Sequence, residues 1–301
     1  MGSEVTRILN PLSVIALVGL LSACSPASTG GGLASGGAAP GHLNIDKLNT
    51  GIDNAIGGID TCVVVLDTKT GRRVYGYGQA EACMAQLPPC ATFDIPATLI
   101  GLNQGVIDPN AVVKYDGSPQ PISAWKTDAD LNKAFSQQIG WWFQHLASAI
   151  RPDRFAGGLR DMDYGDHNTA GPPTAFWMGP QAGGALTITE GQQADFIHRF
   201  YAGDLKIKPD AIALVQGLTH DETRPEPGGG QAVISGRGAS CATVPDGSRN
   251  VGWWVGRVQT PWQDLSISAS VEGPDAPPGL EIGQRLKDVF TDAGLLPPAA
   301  S

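Results

Sequence analysis

The stretch that decides the fold is "CATFDIPATLIGL", residues 90–102. We interpret it as the start of a helix with Asp94 in the first turn, where the positive end of the helix dipole favours a carboxylate. Ala91 offers no nucleophile. On a helix, the side chains of the neighbouring Cys90 and Thr92 point about 100 degrees away from that of Ala91. Either could take the position of Ala91 only if the helix were shifted by one residue. What this segment does therefore depends on the fold around it.

The segments on either side predict strands at both ends of the chain. Before the stretch, "TCVVVLDTKTGRRVYGYG", residues 61–78, reads as a hairpin whose first strand is continuously apolar and therefore buried on both faces. Near the end, "NVGWWVGRV", residues 250–258, and "LSISASVE", residues 265–272, are two more candidate strands. Mostly helical segments lie between these two groups.

Amphipathic helices flank the strands. Residues 43–56 and 279–296 carry apolar side chains at helical spacing. The order of elements predicts an α+β fold. We expect an antiparallel sheet flanked by N- and C-terminal helices, with a mostly helical second lobe.

Composition restricts the class of partner. The chain has 301 residues, 42% of them hydrophobic, and a net charge of -9. This length and apolar content allow a sizeable core. Without a basic cluster, the acidic balance argues against a nucleic-acid partner.

The first residues resemble a bacterial lipoprotein leader. A short apolar run is followed by "LSAC", residues 21–24, which resembles a lipobox, and then by a stretch rich in Gly, Ser and Ala. We expect residues 1–23 to be a signal peptide, Cys24 to carry acyl chains such as palmitate, 24–42 to be a flexible tether and 43–298 to be the folded domain. The predicted location is the extracytoplasmic face of the cell membrane, reached through the lipid anchor.

Four cysteines remain once Cys24 is assigned to lipid, namely Cys62, Cys83, Cys90 and Cys241. An even set in an exported chain permits disulfides. Three pairings exist, and the short loop between Cys83 and Cys90 makes a local bridge plausible. Four buried free thiols are the alternative. A zinc site is disfavoured because no C-x-x-C spacing occurs.

Five ordered blocks resemble the class D β-lactamases and the related penicillin-sensing domains of antibiotic receptors, within the serine penicillin-recognising fold. The likeness runs from about residue 58 to 290. The blocks are "ATFDIPATLIGLNQGVI", "VKYDGSPQPISAWKTDADLNKAF", "GWWFQHLA", "FWMGPQAGGALTITEGQQADFIHRF" and "GWWVGRV". The order of the blocks and the intervals between them are specific to this family, although no single block is sufficient to identify it. The resemblance implies that the α+β fold is β-lactamase/transpeptidase-like.

The resemblance implies a catalytic pair that this chain lacks. The family uses a Ser nucleophile and, three residues later, a Lys that in class D carries a carbamate and acts as general base. In the shared "TF-IP-TLIGL" frame, these positions hold Ala91 and Asp94. A methyl group has no lone pair to attack a carbonyl, and a carboxylate cannot form the N-carboxylated base. The resemblance therefore predicts a site without acyl-enzyme chemistry.

Two further family elements are also altered. The family's second Ser aligns with Gln138, while Ser136 is read as an exposed helical serine rather than a shifted proton shuttle. The Tyr-Gly-Asn block reads Tyr164-Gly165-Asp166, with an acid in place of the amide.

The family's Lys-Thr-Gly strand reads "SGRG", residues 235–238. We place Gly236 at the Lys, Arg237 at the Thr and Gly238 at the Gly, with Arg237 at the Lys position as the alternative. The backbone amides of Ala91 and Ala239 are candidate oxyanion-hole donors. From its place on the facing strand, Arg237 is expected to form an ion pair with Asp94 that plugs the former cleft.

These changes predict a catalytically inactive pseudoenzyme that binds or regulates in the cell envelope. Its candidate partners are a peptidoglycan peptide, a β-lactam or a cell-wall enzyme, and no cofactor is expected. The alternative is an active hydrolase or penicillin-binding protein that uses a shifted nucleophile or a metal. Metal ligands for that alternative come from the loop "DMDYGDH", and they are Asp161, Asp163, Asp166 and His167.

Overall fold

The computed structural model describes residues 43–58 and 60–299. The predicted signal peptide, the predicted lipid anchor at Cys24 and the whole of the predicted tether lie outside this range. The strands are β1 Thr61–Asp67, β2 Arg73–Gly78, β3 His220–Pro225, β4 Gln231–Ala242, β5 Asn250–Gln259 and β6 Asp264–Gly273. The helices are α1 Ile45–Ile56, α2 Ala80–Met84, α3 Asp94–Asn103, α4 Leu131–Ser136, α5 Gly140–Ala149, α6 Pro152–Asp161, α7 Glu190–Ala202, α8 Pro209–Leu218 and α9 Gly279–Asp292.

The strands form one antiparallel sheet in the order β2-β1-β6-β5-β4-β3. Strand β1 pairs with β6, so the beginning and the end of the domain meet inside the sheet. Six of the seven residues of β1 are buried, as its continuous apolar sequence predicts. The predicted α+β fold is confirmed.

Each face of the sheet buries a different set of side chains. Val63 and Val65 of β1 pack with the apolar faces of α1 and α9, which cover one side. Cys62 and Val64 point to the other side and pack against α7. The helical lobe has its own larger core, and it adjoins this second side of the sheet through β4 and β5. The cleft between lobe and sheet is therefore built by α3, α4 and β4.

Two disulfides join distant segments. Cys62 on β1 is bonded to Cys83 on α2, and Cys90 is bonded to Cys241 on β4. The local Cys83–Cys90 bridge considered from the sequence is wrong. Cys83 lies on a helix that packs against β1, whereas Cys90 lies in the next segment, which packs against β4. The short loop between them therefore carries the two thiols to different places.

Glycines bring α9 close to β4. A Cβ on Gly238 would lie 2.6 Å from the carbonyl carbon of Gly279 at the start of α9. A larger side chain at position 238 therefore has no room, and the helix is held directly against the strand. Within the described residues, no helix combines the length and the apolar character needed to cross a membrane.

Candidate functional site

A buried ion pair occupies the centre of the cleft. The chain enters α3 through a 3-10 turn, Cys90–Phe93, which places Asp94 at the first position of the helix. Arg237 on β4 donates from Nη2 to the Oδ2 atom of Asp94. The two residues are only 3% and 4% exposed. The ion pair that the sequence predicts is therefore present and is closed off from solvent.

The guanidinium of Arg237 also binds backbone on both sides of the cleft. Its Nη1 atom donates to the carbonyl oxygen of Phe135 at 2.6 Å, and Nε donates to the carbonyl oxygen of Ala91 at 3.4 Å. The rings of Phe135 and Phe143 lie 4.8 and 5.5 Å from the guanidinium carbon, within cation–π range. One side chain thus links β4 to α4 and to the turn before α3.

Asp94 and Arg237 face one another as an ion pair. Burial raises the pKa of Asp94 to about 6, and the positive charge of Arg237 opposes the rise. The guanidinium keeps its proton at any ordinary pH. The carboxyl group of Asp94 is therefore bound to a fixed positive charge and does not stand free in the cleft.

Gln138 forms a second bridge across the cleft. It lies between α4 and α5 with a positive φ of 52°, and its Nε2 atom donates to the carbonyl oxygen of Gly238 at 3.3 Å. The residue at the family's second Ser position therefore contacts the strand edge directly. A cavity of about 270 Å³ remains beside it, between α4, β4 and α9, and Gln138, Arg237 and Gly238 are part of its lining.

The direction of side chains along β4 favours the alternative assignment of the "SGRG" segment. Arg237 faces the helical lobe, whereas Gly236 and Gly238 face Trp254 and α9. Because successive residues of a strand point to opposite faces, Gly236 cannot offer a side chain to the cleft in this register. Arg237 is therefore the residue of the "SGRG" segment whose side chain enters the cleft. This direction supports the alternative in which Arg237 stands at the family's Lys position, and that assignment stays a prediction.

The backbone of β4 does not present the expected oxyanion donor. The N–H of Gly236 donates outward to the carbonyl oxygen of Thr219 at 2.8 Å. Pairing with β5 is regular from Val233 to Ala242, so every second residue directs its N–H group the same way. The N–H of Ala239 therefore points into the sheet towards β5, and the expected pair of donors with Ala91 is not assembled.

Tyr164 packs in the core, and Asp166 holds two segments of the chain together. Tyr164 is fully buried between Phe93 and Phe196, whose ring centroids lie 5.9 and 4.7 Å away, and burial raises its pKa. The Oδ1 atom of Asp166 accepts from the backbone N–H of Thr187 at 3.1 Å. Its Oδ2 atom accepts from the hydroxyl of the same threonine at 3.0 Å. The acid thereby ties its loop to the segment that leads into α7.

The neighbouring nucleophile candidates are all engaged. Cys90 is in a disulfide with Cys241. The hydroxyl of Thr92 donates to the carbonyl oxygen of Pro89 at 2.6 Å and accepts from Gln193 at 3.0 Å. Ser136 is exposed and donates to the carbonyl oxygen of Lys133 in its own helix at 3.3 Å. None of the three is directed at a free proton acceptor.

The acidic loop also lacks a metal-binding arrangement. The Nε2 atom of His167 lies 3.5 Å from the Oδ1 atom of Asp163, and the side chain of Asp163 is 82% exposed. In the chain from 43 to 58 and from 60 to 299, no group of three or more His, Cys, Asp or Glu side chains is placed to hold an ion.

Sequence reasoning missed one contributor to the site and one buried acid outside it. The carbonyl oxygen of Phe135 accepts from Arg237, but a backbone group gives no signal in a residue pattern. Glu190, the first residue of α7, is a second buried carboxyl on the same side of the sheet. Its position before an apolar helix face suggests only an exposed N-terminal acid.

Comparisons with known proteins show which family the chain is similar to. The family model of the penicillin binding protein transpeptidase domain matches residues 61–279. The regulatory protein BlaR1 of Bacillus licheniformis is 24% identical over 229 residues, which are 76% of this chain and 36% of BlaR1. The β-lactamase OXA-48 of Klebsiella pneumoniae is 27% identical over 237 residues, covering 78% of this chain and 84% of OXA-48.

A solved structure extends the comparison to the fold. The C-terminal domain of the BlaR penicillin receptor of Bacillus licheniformis superposes with a TM-score of 0.70 at 22% identity. The match covers 83% of this chain and 96% of that domain. The chain therefore spans about a third of the length of BlaR1 itself, while it matches nearly all of one domain of that receptor.

Proposed function

Because this chain belongs to the penicillin-binding protein transpeptidase domain family, we propose that it is a catalytically inactive member that binds or regulates in the cell envelope. The observation that carries this proposal is the buried Asp94–Arg237 pair. It stands where the resemblance places the family's base, next to an alanine in place of the nucleophile. Without a nucleophile, the remaining members of a cooperating catalytic set contribute little.

The proposed ligand binds noncovalently. A relative named as a regulatory protein and a structure named as a penicillin receptor support a binding role for this domain type. The cavity beside Gln138 and Arg237 leaves space along β4 for a small ligand such as a β-lactam or a peptidoglycan peptide. A cell-wall enzyme docked at the same cleft is the further candidate partner. Hydrogen-bond donors without a nucleophile bind such a ligand and do not cleave it.

The proposed location is the outer face of the cell membrane. Its support is the sequence alone, in which Cys24 ends a lipobox-like segment and a Gly-rich stretch follows. An acylated Cys24 would keep the domain near the sites of cell-wall synthesis. Metabolic labelling with a fatty acid analogue tests this directly, since Cys24→Ser should abolish the labelling.

A fluorescent penicillin tests the absence of acylation. The purified protein is incubated with the probe and divided between a native binding measurement and a denaturing gel, with the C-terminal domain of the BlaR penicillin receptor as the positive control. The proposal predicts saturable native binding that unlabelled benzylpenicillin displaces, and no fluorescent band after denaturation.

Two outcomes would contradict the proposal in different ways. A band that survives denaturation would reveal a nucleophile, and the variants Thr92→Val and Ser136→Ala would then show which hydroxyl carries it. A lack of both native binding and a covalent band would remove the β-lactam as ligand, and would leave the peptidoglycan peptide and the protein partner to be tested in the same format.

A further inference from the structure

A second cavity lies at one end of the sheet, on elements that take no part in the cleft. The turn between β1 and β2 and the turn between β5 and β6 are adjacent because β1 pairs with β6, and the N–H of Thr68 donates to the carbonyl oxygen of Asp264 at 2.8 Å. The space between the two turns is about 490 Å³. That is the size range of pockets for small organic ligands.

The wall of this cavity carries an exposed aromatic ring. Trp262, in the β5–β6 turn, is 58% exposed, although large apolar side chains are otherwise mostly buried in this protein. Val74 of β2 lines the same cavity and is 38% exposed. An indole and an aliphatic side chain at one opening provide a flat apolar surface on which a ring can stack.

The same cavity holds two cations without acidic partners. Lys69 and Arg72 are exposed, and neither forms an ion pair with an acid in the described parts of the chain. Asp264 is paired with Arg257, from which it accepts two hydrogen bonds at 2.7 and 2.5 Å. Asp67 accepts from the backbone N–H and the hydroxyl of Thr70 and keeps its negative charge near Arg72. Lys69 and Arg72 therefore outnumber the one acid of the cavity that has no cation hydrogen-bonded to it, although the protein as a whole has a net charge of -9.

We propose that this cavity binds an acidic saccharide. The sugar ring stacks on Trp262, and its carboxylate or phosphate contacts Lys69 and Arg72. A concave site of about 490 Å³ favours a single sugar unit over a flat anionic membrane surface. The site shares no residue with the cavity beside Arg237, so this inference and the proposed function stand or fall separately.

Two glycosides that differ in one group provide the test. Calorimetric titration of the purified protein with methyl β-D-glucuronide and methyl β-D-glucoside isolates the contribution of the carboxylate. We expect the glucuronide to bind up to about 10-fold more tightly, because two exposed cations each contribute modestly to holding its carboxylate.

Variants assign the binding to the cavity. Trp262→Ala should weaken both glycosides about 10-fold or more, because the ring stacks on either sugar. The double variant Lys69→Ala/Arg72→Ala should weaken only the glucuronide, to the level of the glucoside. Lys206→Ala, which removes an exposed cation elsewhere, is the matched control and should change neither affinity. Unfolding curves that match wild type show that each variant is folded.

Three results would overturn the assignment. Equal affinity for the two glycosides would exclude a charge-selective site. Binding that survives Trp262→Ala in a folded protein would place the saccharide elsewhere. Binding to phosphatidylglycerol vesicles that is lost in Trp262→Ala, without binding of either glycoside, would make this surface a membrane contact instead.

Discussion

Two buried carboxyl groups lie where helices meet the same side of the sheet, and they are held in different ways. In the cleft, Asp94 begins α3 and faces the guanidinium of Arg237. Behind β6, Glu190 begins α7, is 1% exposed and accepts a hydrogen bond at 2.5 Å from the hydroxyl of Ser270. Its Oε1 atom has no partner among the described residues. One carboxyl has a counter-charge, and the other has only neutral donors.

Burial raises the pKa of both carboxyl groups, that of Glu190 to about 7 and that of Asp94 to about 6. At Asp94 the positive charge of Arg237 opposes the rise, whereas at Glu190 only the hydroxyl groups of serines oppose it. Each carboxyl also has a disulfide nearby, Cys90–Cys241 at the cleft and Cys62–Cys83 beside α7. The cleft is thus the region that is both charge-paired and fastened across the longer stretch of chain.

The disulfides give the largest expected difference between the regions. The two bridges span 151 and 21 residues. Loss of loop closure entropy in the unfolded state predicts stabilisation of about 5 kcal/mol for the long loop and about 3 kcal/mol for the short one. Urea unfolding of Cys90→Ala/Cys241→Ala and Cys62→Ala/Cys83→Ala measures both. A larger loss for the second variant would show that the cleft is not the more strongly fastened region.

Removing the guanidinium should make the cleft resemble the Glu190 region. Arg237→Met leaves the Asp94 carboxyl and the carbonyl oxygens of Ala91 and Phe135 without a donor, and should lower the free energy of unfolding by about 3–5 kcal/mol. The double variant Asp94→Leu/Arg237→Met should recover most of this loss, since no unpaired charge remains. The single variant Asp94→Leu completes the comparison. If the losses of stability from Asp94→Leu and Arg237→Met add up to the loss in the double variant, the two side chains are not energetically coupled.

Replacing Glu190 should change how the stability of the protein depends on pH. The folded pKa of Glu190, about 7, lies above that of an unfolded Glu. Its contribution to stability is therefore fully present below about pH 4.3 and is lost as the pH rises through 7. Glu190→Gln removes this titration, and the variant should be more stable than wild type at pH 8 by about 3 kcal/mol, since each pKa unit is 1.36 kcal/mol. Unfolding curves of wild type and of Glu190→Gln at pH 4.5 and pH 8 provide the measurement. If the two proteins differ in stability by the same amount at both pH values, the assignment of this titration to Glu190 is refuted.

The bridge made by Gln138 should give the smallest effect. Gln138→Ala removes one neutral hydrogen bond to the carbonyl oxygen of Gly238 and should cost about 1 kcal/mol. Thermal unfolding detects a change of that size, and Gln137→Ala, one residue away, is the matched control. A loss above about 3 kcal/mol would mean that the residue supports the fold of the lobe rather than the strand edge alone.

The fold and the ion pair were accessible from the sequence for definite reasons. A continuous apolar run predicted β1, apolar side chains at helical spacing predicted the flanking helices, and the segment around Asp94 supplied one fixed point opposite the strand that carries Arg237. The assignment of positions on that strand was harder, because a shift of one residue exchanges the two faces of a strand. Sequence spacing does not show which of Gly236 and Arg237 faces the cleft, whereas the structure shows the side chain of Arg237 there.

The disulfides and Glu190 depended on packing that no local pattern records. Proximity along the chain suggested Cys83 with Cys90, but α2 carries the first to β1 and the next turn carries the second to β4. Glu190 is buried because α7 lies against β6, and its contact with Ser270 joins residues 80 positions apart. Such a contact becomes visible only when the order of the strands is known.

The central claim is that the Asp94–Arg237 pair has replaced acyl-enzyme chemistry in this cleft. Intact-protein mass spectrometry after prolonged exposure to benzylpenicillin, at pH values from 5 to 8, tests it most directly. The account predicts a mass that stays unchanged at every pH. A stable increase equal to one penicillin, mapped by digestion to a serine, threonine or cysteine in the cleft, would contradict it.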